Sequence, residues 1–154
     1  EEAAAPAPAP NAAAPALPAG LFAAAPPPDA KPLSAARAAA QAGDTVTFAG
    51  YVGGRAEPFT EGRAEFLVAD LEKAPPCSDG CEVPWDACCT PSEDIAANSA
   101  TVQVVDAQGA PLKPSLDGQG GMKKGALVTV TGKVRDSGEN LFIVDATAIS
   151  VREQ

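Results

Sequence analysis

The sequence predicts an all-β domain of five strands that follows an extended tail and a short helix. From residue 44 onward, β-branched and aromatic residues recur with a period of two, which is typical of strands. The residues before that point are mostly alanine and proline, with no such period. We therefore divide the chain of 154 residues into a tail (1–33), a helix (34–43) and a β domain (44–154).

The tail, "EEAAAPAPAPNAAAPALPAGLFAAAPPPDAKP", is predicted to be an extended spacer. Alternating Ala-Pro cannot form a helix, because proline lacks the backbone N–H and biases the residue before it toward extended geometry. Such a chain adopts a semi-rigid, polyproline-like conformation. Its large apolar residues, Leu17, Leu21 and Phe22, are expected to dock on a neighbouring subunit.

The segment "SAARAAAQAG" predicts the short helix. Ser34 can cap its N-terminus, the alanines favour helix, and Gly43 can adopt the left-handed conformation that ends it. A helix this short is marginal alone, so we expect it to pack on the β domain.

Five strands are predicted at 44–52, 63–71, 100–107, 126–134 and 140–151. An internal echo links the first and fourth strands: "GDTVTFAGYV" before "AEFLVAD" matches "GALVTVTGKV" before "NLFIVDA".

The glycines of the echo, Gly50 and Gly132, fall in the middle of their strands. A missing side chain there permits the bend that a small closed barrel requires.

Five strands, glycine-kinked first and fourth strands and a long connection after the second resemble the OB-fold, a Greek-key β-barrel, over 44–151. The closing pattern "VTVTGKV…LFIVDATAISV" is similar to the last hairpin of many such barrels. The whole chain also resembles secreted bacterial proteins of no assigned activity that carry an Ala/Pro-rich head before a small barrel.

Many OB-folds bind single-stranded nucleic acid through exposed aromatic residues and a basic groove. Here Phe48, Phe66 and Phe142 alternate with polar residues, so we expect them in the core. The net charge of −9 also argues against a nucleic-acid partner, because phosphate binding needs a cationic face.

All four cysteines lie in "CSDGCEVPWDACC", within a predicted Cys-rich insertion at 72–99. A bond between the adjacent Cys88 and Cys89 would be strained, which leaves two pairings: Cys77–Cys88 with Cys81–Cys89, or Cys77–Cys89 with Cys81–Cys88. A zinc site of four thiolates is the alternative, although neighbouring cysteines rarely share one ion. Two disulfides that staple the loop are our prediction, and they indicate a secreted or cell-envelope protein.

Trp85, inside the same insertion, either packs in a local cluster or acts as an exposed anchor for a partner. Asp70 and Asp145 end equivalent strands of the echo, and we expect them to cap those strands.

The chain has no histidine, which removes Ser-His and Cys-His nucleophile pairs and the commonest metal ligand. No run approaches the roughly 18–20 apolar residues that span a bilayer. We therefore predict no catalytic residue, no metal site, no cofactor and no transmembrane segment.

The sequence leaves three functions open, and the first of them is our prediction. The first is an extracytoplasmic structural subunit that self-assembles into a fibre, sheath or lattice, with the tail packed on neighbouring copies. The second is an envelope-tethered binding module with a ligand or partner surface around Trp85. The third, an enzyme or metal carrier, would need the four cysteines as thiols.

Overall fold

The computed structural model describes residues 21–22, 30–60, 62–77, 84–87, 89–106, 108–112, 116, 118, 122–138 and 141–152. The elements, in chain order, are β1 (Lys31–Pro32), α1 (Leu33–Ala39), β2 (Thr45–Val52), β3 (Glu65–Ala69), a 3-10 turn (Pro84–Asp86), α2 (Ser92–Ala97), β4 (Ser99–Gln103), β5 (Leu127–Ser137) and β6 (Phe142–Arg152).

Five strands close into a mixed β-barrel. They follow the order β2-β3-β4-β6-β5, and β5 pairs with β2 to complete the ring. Within this ring β4 and β6 are parallel, and every other neighbouring pair is antiparallel. The predicted all-β class is confirmed as a closed five-stranded barrel.

Residues from the N-terminal part of the chain complete the barrel wall where β3 and β4 are short. Lys31 and Pro32 lie beside the middle of β2, in parallel with it. Phe22 forms a parallel bridge with Ile149 near the end of β6, and the N–H of Ile149 donates to the carbonyl of Leu21 at 2.6 Å.

One large apolar cluster fills the barrel. Phe48, Phe66 and Phe142 belong to it with at most 2% exposure, so their predicted place in the core is confirmed. Leu21 and Leu33 are also fully buried in this cluster. The end of the predicted tail therefore belongs to the core of the same chain.

A second, smaller cluster lies outside this core. The hydroxyl of Tyr51 donates to the carbonyl of Ala74, and burial raises the pKa of Tyr51. The members of this cluster are Tyr51, Ala69 and Ala74, with Trp85, Ile95 and Leu127 packed against them.

The two mid-strand glycines lie where neighbouring strands approach closely. A Cβ at Gly50 would lie 2.6 Å from the carbonyl oxygen of Ala69. A Cβ at Gly132 would meet the carbonyl oxygen of Asp145, and the pairing of β5 with β6 shifts register between Thr131 and Gly132. The absence of a side chain is therefore required at both positions.

Helix α1 differs in its ends from the prediction of 34–43. Pro32, not Ser34, is the residue that precedes the first turn, and no side chain caps it. The predicted Ser34 cap is wrong because Asp70, reaching from the barrel, accepts the N–H of Ser34 at 2.7 Å.

Gly43 has a φ of +96°, as a left-handed residue, but it lies after the helix has ended. Its N–H donates to the carbonyl of Val134 at 2.8 Å, so it turns the chain into β2.

Strand β4 ends at Gln103, earlier than the predicted end at 107. Val105 bridges to Pro111, because Asp106 accepts the N–H groups of Gln108 and Ala110 at 2.9 and 3.1 Å and folds the chain back.

Candidate functional site

A groove of about 270 Å³ lies on the outer face of β3 and β4, and we call it the β3–β4 groove. Leu67 and Thr101 pair across the two strands and form part of its lining. Their neighbours Phe66 and Val102 are buried in the barrel core, as the alternation of a strand requires. The floor of the groove is thus formed by the apolar side chain of Leu67 and, next to it, the hydroxyl-bearing side chain of Thr101.

The walls of the groove come from three separate parts of the sequence. Helix α2 contributes Ile95 and Ala96, and the loop after β2 contributes Gly54 and Arg55. Leu141, just before β6, lies at the rim and is 45% exposed, which is unusual for a large apolar side chain in this chain. Leu141 extends the apolar surface of Leu67 and Ile95 to the rim, and a concave, partly apolar surface is typical of a binding site.

Arg37 of α1 connects helix α2, β4 and the β5–β6 turn beside the groove. Its guanidinium donates to the carbonyls of Ala96 at 2.6 Å, Ser99 at 2.8 Å and Gly138 at 3.0 Å. It also lies over the ring of Phe142, with 5.8 Å from Cζ to the ring centroid. One buried side chain therefore fixes the end of α2, the start of β4 and the β5–β6 turn.

Sequence reasoning missed this role of Arg37. Burial lowers the pKa of its guanidinium, as desolvation disfavours the charged form. The one available signal was a single charged residue within an alanine run, and that pattern is equally typical of an exposed helix face.

Polar groups in the groove remain available for a ligand. Ser99 is only 7% exposed, and its hydroxyl has no hydrogen-bond partner among the described residues. Arg55 donates through Nε to the carbonyl of Glu57 at 2.8 Å, and its terminal nitrogens have no partner in the described part of the chain. The buried hydroxyl of Ser99 and the guanidinium of Arg55 thus lie on either side of the groove floor.

Trp85 braces the loop that carries Arg55 and does not line the groove. Its indole N–H donates to the carbonyl of Ala56 at 2.9 Å, and its own carbonyl accepts the N–H of Gly54 at 2.7 Å. Lys124 lies 5.9 Å from the ring centroid and forms an ion pair with Glu57 at 3.0 Å. Trp85 is half-buried in the second cluster, so the structure places it in local packing, and its role toward a partner stays a prediction.

The cysteine prediction is tested only in part. Cys77 is buried, and the N–H of Cys89 donates to its Sγ at 3.2 Å, so the two residues lie side by side without a bond to each other. Cys81 and Cys88 lie outside the described residues, and the disulfide staple stays a prediction. Among the described residues, no group of three or more His, Cys, Asp or Glu side chains could hold a metal ion.

The three tail residues expected at a subunit contact have different outcomes. Leu21 is 1% exposed and Phe22 is half-buried, both against the barrel of their own chain. Leu17 lies outside the described residues. Contact of these residues with a neighbouring subunit stays a prediction.

Asp70 and Asp145 both serve structural roles at strand positions. Asp70 is fully buried and accepts the N–H groups of Glu72 and Lys73, each at 2.8 Å, as a cap at the end of β3. The predicted strand cap is wrong for Asp145, which lies inside β6 and pairs with Lys133; its carboxylate accepts hydrogen bonds from Gln103 at 2.8 Å and from Arg135 at 3.0 Å.

Two other depressions are poorer candidates for a site. The larger, about 420 Å³, lies between α1 and the start of β2 and is lined mainly by alanines and outward-facing polar residues. The other, about 240 Å³, lies beside Leu71 and Asp70, but the carboxylate oxygens of Asp70 are already hydrogen-bonded. Neither is lined by a buried side-chain hydroxyl without a partner among the described residues.

A comparison of the chain with protein-family models, curated proteins and solved structures found no match. None of the helices in the described part of the chain is long and apolar enough to cross a membrane.

Proposed function

We propose that this chain is a binding module whose β3–β4 groove takes an extended peptide that carries a carboxylate. The observation that carries the proposal is the coincidence of three features in one groove. They are the exposed Leu141, the unused hydroxyl of Ser99 and the uncommitted terminal nitrogens of Arg55 within the described part of the chain. A guanidinium is suited to bidentate binding of a carboxylate.

We also propose that the barrel is of the OB type. Support comes from the parallel pairing of β4 with β6, the closure of β2 on β5, and the close approach at Gly50 and Gly132. In OB-folds the face of the second and third strands binds ligands together with the loops beside it. The corresponding strands here would be β3 and β4, whose outer face carries the groove.

The chemistry of the groove favours a peptide over the other polymers that such barrels bind. Phe142 is 2% exposed, so its ring offers no stacking platform for a base or a sugar. A net charge of −9 disfavours a polyphosphate chain. Small apolar side chains suit the contact surface of Leu67 on the floor and Ile95 on the wall.

An extracytoplasmic location remains part of the proposal, and it rests on the four cysteines. Both pairings remain open, Cys77–Cys88 with Cys81–Cys89 and Cys77–Cys89 with Cys81–Cys88, because Cys81 and Cys88 lie outside the described residues. We propose no catalytic role for any of these residues.

Selection from a random peptide library displayed on phage, with the immobilised full chain as bait, tests the proposed function. We expect enriched peptides to contain Asp or Glu, to bind less well to Arg55→Gln and to lose binding to Leu141→Asp. Leu71→Asp is the matched control, because Leu71 is similarly exposed at 42% but lies outside the groove. Enriched peptides that bind all three variants equally would contradict the proposal.

Self-assembly as an extracytoplasmic structural subunit is a second candidate, and one observation favours it. The contact of Leu21 and Phe22 with Ile149 combines a backbone hydrogen bond with a buried side chain, and the same segment of a neighbouring copy could make it by exchange. Sedimentation of the full chain over a range of concentrations tests it. Ordered oligomers or filaments support assembly, whereas monomers at every concentration exclude it.

A further inference from the structure

The loop between β2 and β3 holds Arg55 between two points that a single tryptophan fixes. The carbonyl of Trp85 accepts the N–H of Gly54 at 2.7 Å, and its indole N–H donates to the carbonyl of Ala56 at 2.9 Å. Both neighbours of Arg55 in the chain are therefore tied to the same residue. The backbone at Arg55 is thereby held beside the β3–β4 groove, which Arg55 lines.

The same loop is joined to the groove floor by backbone hydrogen bonds. The N–H of Gly53 donates to the carbonyl of Leu67 at 3.1 Å, and the N–H of Leu67 donates to the carbonyl of Pro58 at 2.9 Å. Leu67 is part of the floor of the groove. The loop at 53–58 is thus fixed to the floor at its two ends and to Trp85 in its middle.

The carboxylate of Glu57 is a competitor for the guanidinium of Arg55. The Nε of Arg55 donates to the backbone carbonyl of Glu57 at 2.8 Å, so the guanidinium already lies beside residue 57. In the structure the Glu57 carboxylate binds Lys124 instead, with 3.0 Å between Oε1 and Nζ. The terminal nitrogens of Arg55 therefore have no partner in the described part of the chain.

Lys124 has a fixed position next to this loop. Its ammonium lies over the ring of Trp85, 5.9 Å from the centroid, and its side chain is 31% exposed, against 75% for Glu57. The N–H of Gly125 donates to the carbonyl of Val52 at 2.8 Å, which anchors the residue after Lys124 to the end of β2. The lysine is thus the better fixed partner of the pair, and it determines where the Glu57 carboxylate lies.

We propose that Trp85 and Lys124 are positioning residues that reserve the guanidinium of Arg55 for the carboxylate of a bound peptide. Trp85 fixes the backbone on both sides of Arg55, and Lys124 holds the competing carboxylate of Glu57. This inference rests on the proposed function, since it explains how the β3–β4 groove selects a carboxylate. Trp85 then acts on binding through Arg55 and not through contact with the ligand.

NMR of the full chain without a ligand tests the role of Lys124, with the Nε–H signal of Arg55 as the reporter. We expect this signal to shift in Lys124→Met, because the released Glu57 carboxylate then pairs with the guanidinium. Adding Glu57→Gln should return the signal to its wild-type position. Lys123→Met removes the neighbouring exposed lysine and is the matched control, which should leave the signal in place. No shift in Lys124→Met, or a shift that Glu57→Gln does not reverse, would overturn this role.

Backbone amide relaxation tests the role of Trp85 in Trp85→Phe, which keeps an aromatic ring but loses the indole N–H. We expect the order parameters of Arg55 and Ala56 to fall below those of the wild type, because the carbonyl of Ala56 loses its donor. Tyr51→Phe is the control, since it removes a donor from the same second cluster whose bond to Ala74 does not involve the loop. Equal order parameters in Trp85→Phe and the wild type would count against this role.

Peptide affinity measures the consequence for binding. The probe is a peptide selected on the wild-type chain, beside a matched peptide in which its Asp or Glu is replaced by Asn or Gln. We expect the preference for the carboxylate peptide to fall about three- to fivefold in Lys124→Met, the size of one exposed ion pair, and to recover when Glu57→Gln is added. In Trp85→Phe it should fall at least about twofold, as the loss of one hydrogen bond would do.

The same measurements separate this inference from the proposed function. If the wild type prefers the carboxylate peptide but Lys124→Met and Trp85→Phe keep the full preference, the inference fails and the proposed function stands. If the wild type shows no preference, the proposed function fails, and the signals of the ligand-free chain still decide whether Lys124 and Trp85 position Arg55.

Discussion

Asp70 is a buried carboxylate at the end of β3, and its hydrogen bonds give the fold a pH dependence. Burial alone would raise the pKa of this carboxyl group, but the donors at Ser34, Lys73 and Glu72 outweigh it and lower the pKa. A group whose pKa is lower in the folded state stabilises the fold at neutral pH. That contribution is lost as the pH falls from the unfolded-state pKa of about 3.9 through the folded-state value.

We expect Asp70→Asn to lower the free energy of unfolding at neutral pH by about 1.5–3 kcal/mol, because hydrogen bonds to a charged acceptor are weakened. The variant should also lose less stability than the wild type as the pH is lowered from about 5 to about 2. Urea unfolding at a series of pH values measures both effects. Asp136→Asn removes an exposed carboxylate and is the control. If Asp70→Asn showed the same pH dependence of stability as the wild type, the role given to the Asp70 carboxylate would be contradicted.

Arg37 is the residue on which the geometry of the groove depends. Arg37→Met keeps the apolar stem but leaves the carbonyls of Ala96, Ser99 and Gly138 without their donor. We expect a loss of about 2–4 kcal/mol in the free energy of unfolding, measured in urea. Arg37→Lys should recover only part of it, since a single ammonium cannot replace a planar fork of donors. A loss within about 0.5 kcal/mol for both variants would match an exposed residue and contradict this role.

At the scale of elements, the short N-terminal segment at 21–22 is part of the barrel core. Leu21→Ala should lower the free energy of unfolding by about 2–5 kcal/mol, because a fully buried leucine leaves a cavity. Leu71→Ala, at a site that is 42% exposed, should change it by no more than about 0.5 kcal/mol. Thermal and urea unfolding measure the difference, and equal effects of the two substitutions would mean that Leu21 does not occupy the core.

The Cys-rich insertion is the second element, and its disulfides can be tested directly. We expect mass-spectrometric mapping of the unreduced protein to find two disulfides in one of the two open pairings, either Cys77–Cys88 with Cys81–Cys89 or Cys77–Cys89 with Cys81–Cys88. Reduction should cost about 2–3 kcal/mol of stability for each bond, since each closes a short loop. A Cys88–Cys89 bond would contradict the predicted staple, and four thiols or a bound metal ion would restore the zinc alternative.

The strands could be predicted from the sequence because their signals are local. Alternation identified Phe48, Phe66 and Phe142 as core residues, and Gly50 and Gly132 marked the close approaches of the barrel. The N-terminus of helix α1 was predicted wrongly because the acceptor for the N–H of Ser34 is Asp70, which comes from a distant part of the chain. Local patterns carry no information on such a partner.

At the scale of the whole molecule, the groove could not be predicted because it is assembled from distant segments. The loop at Arg55, helix α2 and Leu141 are far apart in the sequence and meet only in the folded barrel, where Arg37 holds the carbonyls of Ala96, Ser99 and Gly138. The sequence indicated a ligand or partner surface around Trp85. In the structure Trp85 lies behind the loop that carries Arg55 and outside the groove. The binding module, the alternative to self-assembly in the sequence analysis, stays a prediction, and the surface we propose for it differs from the one around Trp85 that the sequence indicated.

Titration of a library-selected peptide into the full chain, followed by methyl NMR, tests the proposed peptide-binding surface most directly. We expect the signals of Leu67, Ile95 and Leu141 to move with the peptide while those of Leu71 remain in place. The dissociation constant should rise at least about tenfold in Leu141→Asp, equivalent to about 1.4 kcal/mol. Movement centred on Leu71, or an unchanged affinity in Leu141→Asp, would contradict the assignment of the β3–β4 groove as the binding surface.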